Sequence, residues 1–535
     1  MSARFPEPAV SHRNHDIRPS LRHHVAADAM TAVIPSFDVG RFAGLLAAAG
    51  TRARADGRAV LVSLGMRAPR LDPLLAIQRS AAAAELDVRL ATHLRAGRVY
   101  WTRARDGFAV AGIGAVATFE PRGTDRFAAV DRAWTALIDR AVLDDATPGD
   151  VDAGPLMMGG FSFWPEGPTS DTWRGFPSSH LIVPRLQITC TDDECRIRTS
   201  ALVDANGDPD IAPAALAALF DAVCGAAPPA FARAIVGEPG VHGLAYTAPL
   251  DDAEWRTMVN AGVSAIRRGS FEKVVLAREV RADAPRKVDV AALLSHLRAA
   301  HEDCFVFGCW RGDRVFVGAS PERLVRLDGR AVHASSLAGS ATRGASPQED
   351  VELTTALMAS AKERSEHAAV RNALREGLAA LCDDVTAAEV PSLLTLRHVH
   401  HLHTTVRATL RPGHSLLDLV ALLHPTPAVG GAPREAALQF IRDHERLDRG
   451  WYAAPIGWMG RHGGEFAVAL RCAVLEGSRA VMYAGCGIVA DSRSELELAE
   501  SQLKLEPMKA ALATALAEST PASAPSVPAG TARAS

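Results

Sequence analysis

Apolar residues recur at helical spacing in several Ala-rich stretches: 41–50, 72–86, 127–142, 212–224, 289–300, 350–381 and 495–518. Steps of three and four residues gather such positions on one stripe, which predicts amphipathic helices. Between them lie shorter apolar and β-branched runs: Ala59–Leu64, Phe108–Thr118, Phe271–Val280, Cys304–Trp310, Arg314–Gly318, Phe466–Val474 and Ala480–Ala484. These predict strands. The mixture points to an α/β or α+β protein. No fixed-period repeat is visible.

The pattern fades at both ends. Residues 1–30 hold four His and several Arg with no apolar period, which predicts a disordered leader. No apolar core of a secretory signal is expected there. From Ser519 onward a Pro/Ala/Ser-rich stretch, 519–535, reads as a flexible tail. The segment Gly225–Gly240 is rich in Gly, Pro and Ala. It predicts a connection between a first half, 31–240, and a second half, 241–518, that carries more candidate chemistry.

Composition narrows the function classes. A formal net charge of −3 removes the electrostatic footprint of a nucleic-acid binder. No apolar run is long enough to span a bilayer. Eight cysteines in 535 residues are sparse, so a disulfide scaffold is not expected. A reducing cytoplasmic setting follows.

Three signals weaken on inspection. Gly112-Ile-Gly114-Ala-Val-Ala117 matches a dinucleotide fingerprint, but Pro121 and Gly123 interrupt the helix it would open. Gly485-Cys-Gly487-Ile-Val-Ala490 follows a strand, yet no second strand comes after the helix, so dinucleotide binding fails. Its glycines could still offer N–H groups to an anion near that helix's N-terminus. His398, His400, His401 and His403 suggest zinc, but strand alternation splits them between two faces, with no Cys nearby.

A second set has more chemical content. Lys273 lies in a run with Phe271, Val275 and Ala277 on its own side and Val274 and Leu276 on the other. Burial disfavours its ammonium form and would make it a base, unless it is a strand-edge lysine in solvent. Glu322 follows Pro321 after a strand. Held beside a buried wall it would be a proton donor; otherwise it is a common helix-start glutamate. Glu363 with Glu366, and Glu497 with Glu500, stand at i, i+3 spacing. Each pair can share a helix face and together they could cage Mg²⁺, or they are solvated charge. Lys504 is either an ordinary i, i+4 partner of Glu500 or a carboxylate clamp. Arg471, inside an apolar run, needs a partner and suits a carboxylate. The inventory describes a small dianion undergoing proton-assisted substitution or elimination.

The second half, roughly 245–510, resembles the chorismate-utilising enzymes. The motifs run in order: FEKVVLAR (271–278), GASPERLV (318–325), SLAGSATRG (336–344), SEH (365–367), HHLHTTV (400–406), LHPTPAVGG (423–431), RGWYAAPIGW (449–458), EFAVALRCA (465–473), YAGCGIVADS (483–492) and ELAESQLK (497–504). Met158–Phe163 is similar to the family's first-half glycine strand.

The resemblance implies one large α+β domain with two facing antiparallel sheets and helices outside. Lys273 fits the water-using branch, and Ala338 stands where aminodeoxychorismate synthases carry a nucleophilic lysine. The pattern around His424 is most similar to isochorismate synthases, with salicylate synthases next. An ammonia-using synthase, which would need a glutaminase partner, and a catalytically silent copy are further readings. The implied roles are Lys273 activating water for attack at C2 of chorismate, and Glu322 protonating the leaving C4 hydroxyl. Glu366 and Glu500 would hold Mg²⁺, supported by Glu363 and Glu497. Arg471, Tyr452 and the backbone of Gly485 and Gly487 would hold the enolpyruvyl carboxylate. Lys504, Gly339 and Ser340 would add clamps, and His424 would line the ring site. A monomer or homodimer without a glutaminase subunit is expected. The departures are Val370-Arg371-Asn372 in place of an often acidic stretch, Ala454 where Gly is common, and Ser340 where Thr is common. None removes a charge that the chemistry needs.

Overall fold

Strand Ser179–Cys190, buried along its whole length, is the branch point of the fold. The structure, a computed structural model, describes residues 36–517 except 87, 95–96, 145–153, 193, 226–242 and 398. The leader, the tail and most of the expected Gly225–Gly240 connection therefore lie outside the described residues.

On one side Ser179–Cys190 pairs with Phe108–Phe119. On the other, its first residues pair with Met157–Phe161 and its last with Cys195–Val203. Two arms of sheet diverge from this point. The first continues from Cys195–Val203 to Val60–Ala68. From Phe108–Phe119 it runs through Arg98–Arg103, Phe305–Arg311, Arg314–Ser320, Cys472–Glu476 and Arg479–Ile488 to Lys273–Asp283. The second runs from Met157–Phe161 through Pro455–Met459, Gly463–Val468, Arg323–Asp328 and Ala331–Thr342 to Val399–Leu410. All of these pairs are antiparallel, and among the described residues only the short strand Val142–Asp144 adds a parallel one, to Val60–Ala68. This is the expected pair of facing antiparallel sheets.

Between the arms lies a core that includes Phe161, Phe307, Phe316, Trp451, Trp458 and Phe466. A second core packs the first arm beneath the helices Val39–Asp56, Pro73–Leu86, Pro213–Cys224, Val290–Ala300 and Ser494–Ala517. A third sits under Asp252–Arg267 and Arg434–His444.

Three expectations are corrected. The helix expected over 350–381 is two, Pro347–Ala359 and Ala361–Leu378, because Ser360 leaves the helical conformation and accepts a bond from the Glu363 N–H. The strand expected over Phe466–Val474 is also two. Its residues 469–471 cross from the second arm to the first, and Arg471 takes a left-handed φ of 49° at the crossing. Finally, Cys190 and Cys195 are disulfide-bonded, because the hairpin register sets them opposite each other. This is one local link rather than a scaffold, and the other six cysteines are free and buried. Among the described residues no helix is long and apolar enough to cross a membrane.

Candidate active site

Two chain crossings between the sheet arms frame the site. At one, Arg314–Ser320 passes through Pro321 and Glu322 into Arg323–Asp328. At the other, Gly463–Val468 passes through Arg471 into Cys472–Glu476. The crossings are stitched together: Val468 N–H donates to the Glu322 carbonyl at 3.1 Å, and Ala319 N–H to the Arg471 carbonyl at 3.1 Å. Strands that change sheets make corners, and a corner turns side chains inward that a flat sheet would point outward. Glu322 thus sits between two strands, not at a helix start.

Lys273, Glu322, Gly339, Ser340, Glu363, Glu366, Tyr452, Arg471, Gly485, Gly487, Glu497, Glu500 and Lys504 all line one cavity of about 160 Å³. The four glutamates come from two helix starts. Glu363 and Glu366 lie in the first turns of Ala361–Leu378, and Glu497 and Glu500 in those of Ser494–Ala517. The positive end of a helix dipole favours carboxylates there.

Lys273 is 7% exposed, and its Nζ donates to Glu366 Oε1 at 2.7 Å. The buried amine expected from the sequence is therefore paired with a carboxylate rather than isolated. Lys504 Nζ contacts Glu500 Oε1 at 2.5 Å and donates to the Gly485 carbonyl at 2.9 Å. It is both helix partner and cavity cation. Glu363 Oε2 accepts from the Ser340 N–H at 3.3 Å.

Burial pushes Glu322 up to about 7, against the opposing charges of Lys273, Lys504 and Arg471. Glu497 is also pushed up to about 7, by burial and then by Glu500. Glu363 is raised by burial and by Glu366. Burial works to raise Glu500 as well, but Lys504 and Arg471 hold it below the usual carboxylate range. Burial raises the Tyr452 phenol and lowers Arg471. The site thus holds two acids poised near neutrality, Glu322 apart from the other glutamates and Glu497 among a group of carboxylates short of positive charge.

Gly485 and Gly487 lie within the strand Arg479–Ile488, not at a helix N-terminus, which corrects the expected placement; the helix begins only at Ser494. They oppose Ala277 and Val275. The N–H groups of Val275 and Ala277 bond elsewhere, to the Gly430 carbonyl and Glu445, so these are non-hydrogen-bonded pairs. The backbone groups of both glycines consequently point away from Lys273–Asp283. On that other side, strand Cys472–Glu476 pairs no further than Met482. The absent side chains matter as well. A Cβ at Gly487 would lie 2.8 Å from Lys273 Cε, and one at Gly485 2.6 Å from the Tyr452 hydroxyl. Gly339 takes a φ of +80°, open to glycine without strain.

His424 is the site residue that the structure moves elsewhere. It packs edge-on to Phe163 and Phe127, bonds the Phe163 carbonyl at 3.1 Å, and does not line the cavity. Burial lowers it to about 3, which makes it a neutral core histidine.

Sequence reasoning overlooked His401. Its Nδ1 lies 2.8 Å from Ser340 Oγ, and burial with Arg471 and Lys504 lowers it to about 3. Strand alternation already separated it from His400, which bonds Asp350 and Thr395 on the other face. Among the described residues the histidines do not gather on a metal; the compact group of possible ligands is Cys486, Glu497 and Glu500, within 4.8 Å of one another. Burial keeps the Cys486 thiol protonated, and it donates to the Glu497 carbonyl at 3.2 Å. The remaining donors are carboxylate oxygens.

Known proteins are similar to this chain over most of its length. Residues 47–513 match the family described as "Chorismate binding enzyme". The chain is 38% identical over 416 residues to the salicylate biosynthesis isochorismate synthase of Pseudomonas aeruginosa, covering 77% of this chain and 84% of that one. It is 32% identical over 466 residues to the isochorismate synthase MenF of Bacillus subtilis, covering 86% and 95%. The fold matches the solved structure of MenF, the menaquinone-specific isochorismate synthase from Escherichia coli. That match has a TM-score of 0.67 and 24% identity, and covers 88% of this chain and all of that one. The chain belongs to the chorismate-binding enzyme family.

Proposed function

We propose that the protein is an isochorismate synthase and that this cavity converts chorismate to isochorismate with water as the nucleophile. The observation that carries the reading is one cavity holding a buried amine, Lys273, and a buried carboxylic acid, Glu322, pushed up to about 7. Relatives that align with most of the chain are named isochorismate synthases, which supports it. In this reading Lys273 removes a proton from water as the oxygen attacks C2. The ring double bonds shift, the C4–O bond breaks, and Glu322 protonates the departing hydroxyl. Water enters and water leaves, so the net change is an isomerisation.

Arg471 and Tyr452 hold the enolpyruvyl carboxylate, and the outward N–H groups of Gly485 and Gly487 suit the same anion. Lys504 and the Gly339–Ser340 turn face the ring carboxylate. Glu363, Glu366, Glu497 and Glu500 fit Mg²⁺. They offer hard oxygen donors, and the raised Glu363 and Glu497 mark a shortage of positive charge that a divalent cation would relieve. Bound there, Mg²⁺ would neutralise a substrate carboxylate. No glutaminase partner is needed when water is the nucleophile.

The test is direct. Purified protein, chorismate and Mg²⁺ are incubated without ammonia and the products separated by chromatography. Isochorismate alone is expected. Salicylate with pyruvate would move the protein to the salicylate synthases, and no turnover would remove the reading.

A further inference from the structure

A second cavity, of about 420 Å³, adjoins the catalytic one. Pro321, Ser340, Arg471, Glu500 and Lys504 line both. Its outer walls are apolar: Leu396 and Val399 on one side, and Leu496, Leu503 and Pro507 of the helix Ser494–Ala517 on the other. Leu496 is 58% exposed and Ala499 is also exposed, so this helix face opens to solvent. The inner wall of the catalytic cavity is closed by contrast, with Tyr452 and Tyr483 buried in the core.

The charges around the second cavity are unequal. Arg397, Arg471 and Lys504 line it, and its one carboxylate, Glu500, is already paired with Lys504. Arg397 is exposed at the solvent end. Apolar walls that lead past cations to a charged inner cavity match a ring bearing two carboxylates. A cleft of one charge sign also raises the local concentration of the opposite ion and its rate of association.

We infer that this chamber is the vestibule through which a cyclic dicarboxylate substrate reaches the catalytic cavity, with Arg397 as the capturing cation. The inference rests on the proposed substrate and adds its route and a specificity residue outside the reacting centre.

Two variants test it with chorismate and Mg²⁺. Ala499→Trp places a large side chain at an exposed helix position, where it fills the chamber without entering the core. It is expected to lower kcat/KM by at least about tenfold while circular dichroism stays that of the parent. Arg397→Glu is expected to lower kcat/KM about tenfold at low salt, the loss shrinking to about twofold near 0.5 M salt as screening grows. Arg132→Glu, on the exposed face of the helix Arg126–Ile138, serves as the charge control and should leave kcat/KM unchanged. A parental kcat/KM in Ala499→Trp, or an Arg397→Glu loss that ignores salt, overturns the vestibule. An unmutated protein that does not turn over chorismate overturns the substrate reading itself, and the vestibule with it.

Discussion

Lys273 Nζ donates to Glu366 Oε1 at 2.7 Å, so the proposed base and one proposed metal ligand are direct partners. The two assignments are therefore coupled. Lys273→Ala removes the group that accepts the water proton and leaves Glu366 without its hydrogen-bond donor. Turnover should fall by at least about 100-fold, the scale of general base catalysis, with the melting transition still cooperative. Steady-state kinetics and thermal melting check both halves.

Glu322 must carry a proton to protonate the leaving hydroxyl. Burial holds it at about 7, so its protonated fraction shrinks as pH rises through that value. kcat/KM should therefore fall above about pH 7, approaching a tenfold loss per unit. Glu322→Gln keeps the shape, removes the donor and should erase that limb along with most of the activity. A parental profile that stays flat to high pH would contradict the role.

Gly487→Ala tests how closely the strands approach. The new Cβ would sit 2.8 Å from Lys273 Cε. The lysine must move, and with it the water it activates. A loss of about tenfold or more in kcat is expected, since small misplacements of a reacting group are costly. Gly329→Ala, where nothing lies within 4 Å but φ is +58°, separates backbone strain from steric displacement of the lysine.

Arg449 and Glu445 bond the edge of the strand Lys273–Asp283 where its short pairing with Gly431–Ala432 ends. Arg449 Nη2 donates to the Val275 carbonyl at 2.8 Å and Nη1 to the Val429 carbonyl at 2.8 Å, while Glu445 accepts from the Ala277 N–H at 2.8 Å. Both side chains are essentially unexposed. Breaking such a pair strands a buried charge, so Arg449→Ala should cost about 3–5 kcal/mol of stability in a denaturant titration.

How much of this was legible in the sequence depended on whether a residue acts through its type or its placement. Lys273, Glu322 and the four glutamates are groups whose chemistry and helical spacing mark them in the chain, and the structure brings all six to one cavity. In the sequence Arg471 reads as a carboxylate clamp, but its run reads as one strand, because apolar periodicity continues unbroken across a switch between sheets. His424 differs from its expected place because a conspicuous motif histidine can equally serve the core, and here Phe163 and Phe127 take it. His401 carries no signal of its own in the sequence, because it stands within a dense histidine cluster whose shared reading is zinc. The first half was harder to read. Its central strand Ser179–Cys190 is buried on both faces and holds Pro184 and Arg185, so it lacks the alternation that announces a strand.

Metal binding has a readout independent of turnover. Mg²⁺ that binds the folded chain alone should stabilise it by about 2.7 kcal/mol at a free concentration 100 times Kd, and its melting temperature should rise accordingly with the logarithm of the concentration. EDTA should remove both the shift and the activity. In Glu366→Gln combined with Glu500→Gln, the shift should vanish. A melting temperature indifferent to Mg²⁺ would remove the ion from the account.

The most direct test of the central claim follows the oxygen. The reaction is run in ¹⁸O-labelled water with chorismate and Mg²⁺, and the isochorismate formed is examined by mass spectrometry. Attack by a water that Lys273 activates predicts one solvent oxygen, located in the C2 hydroxyl, and no product from Lys273→Ala. Product that retains only the oxygens of the starting chorismate would contradict it.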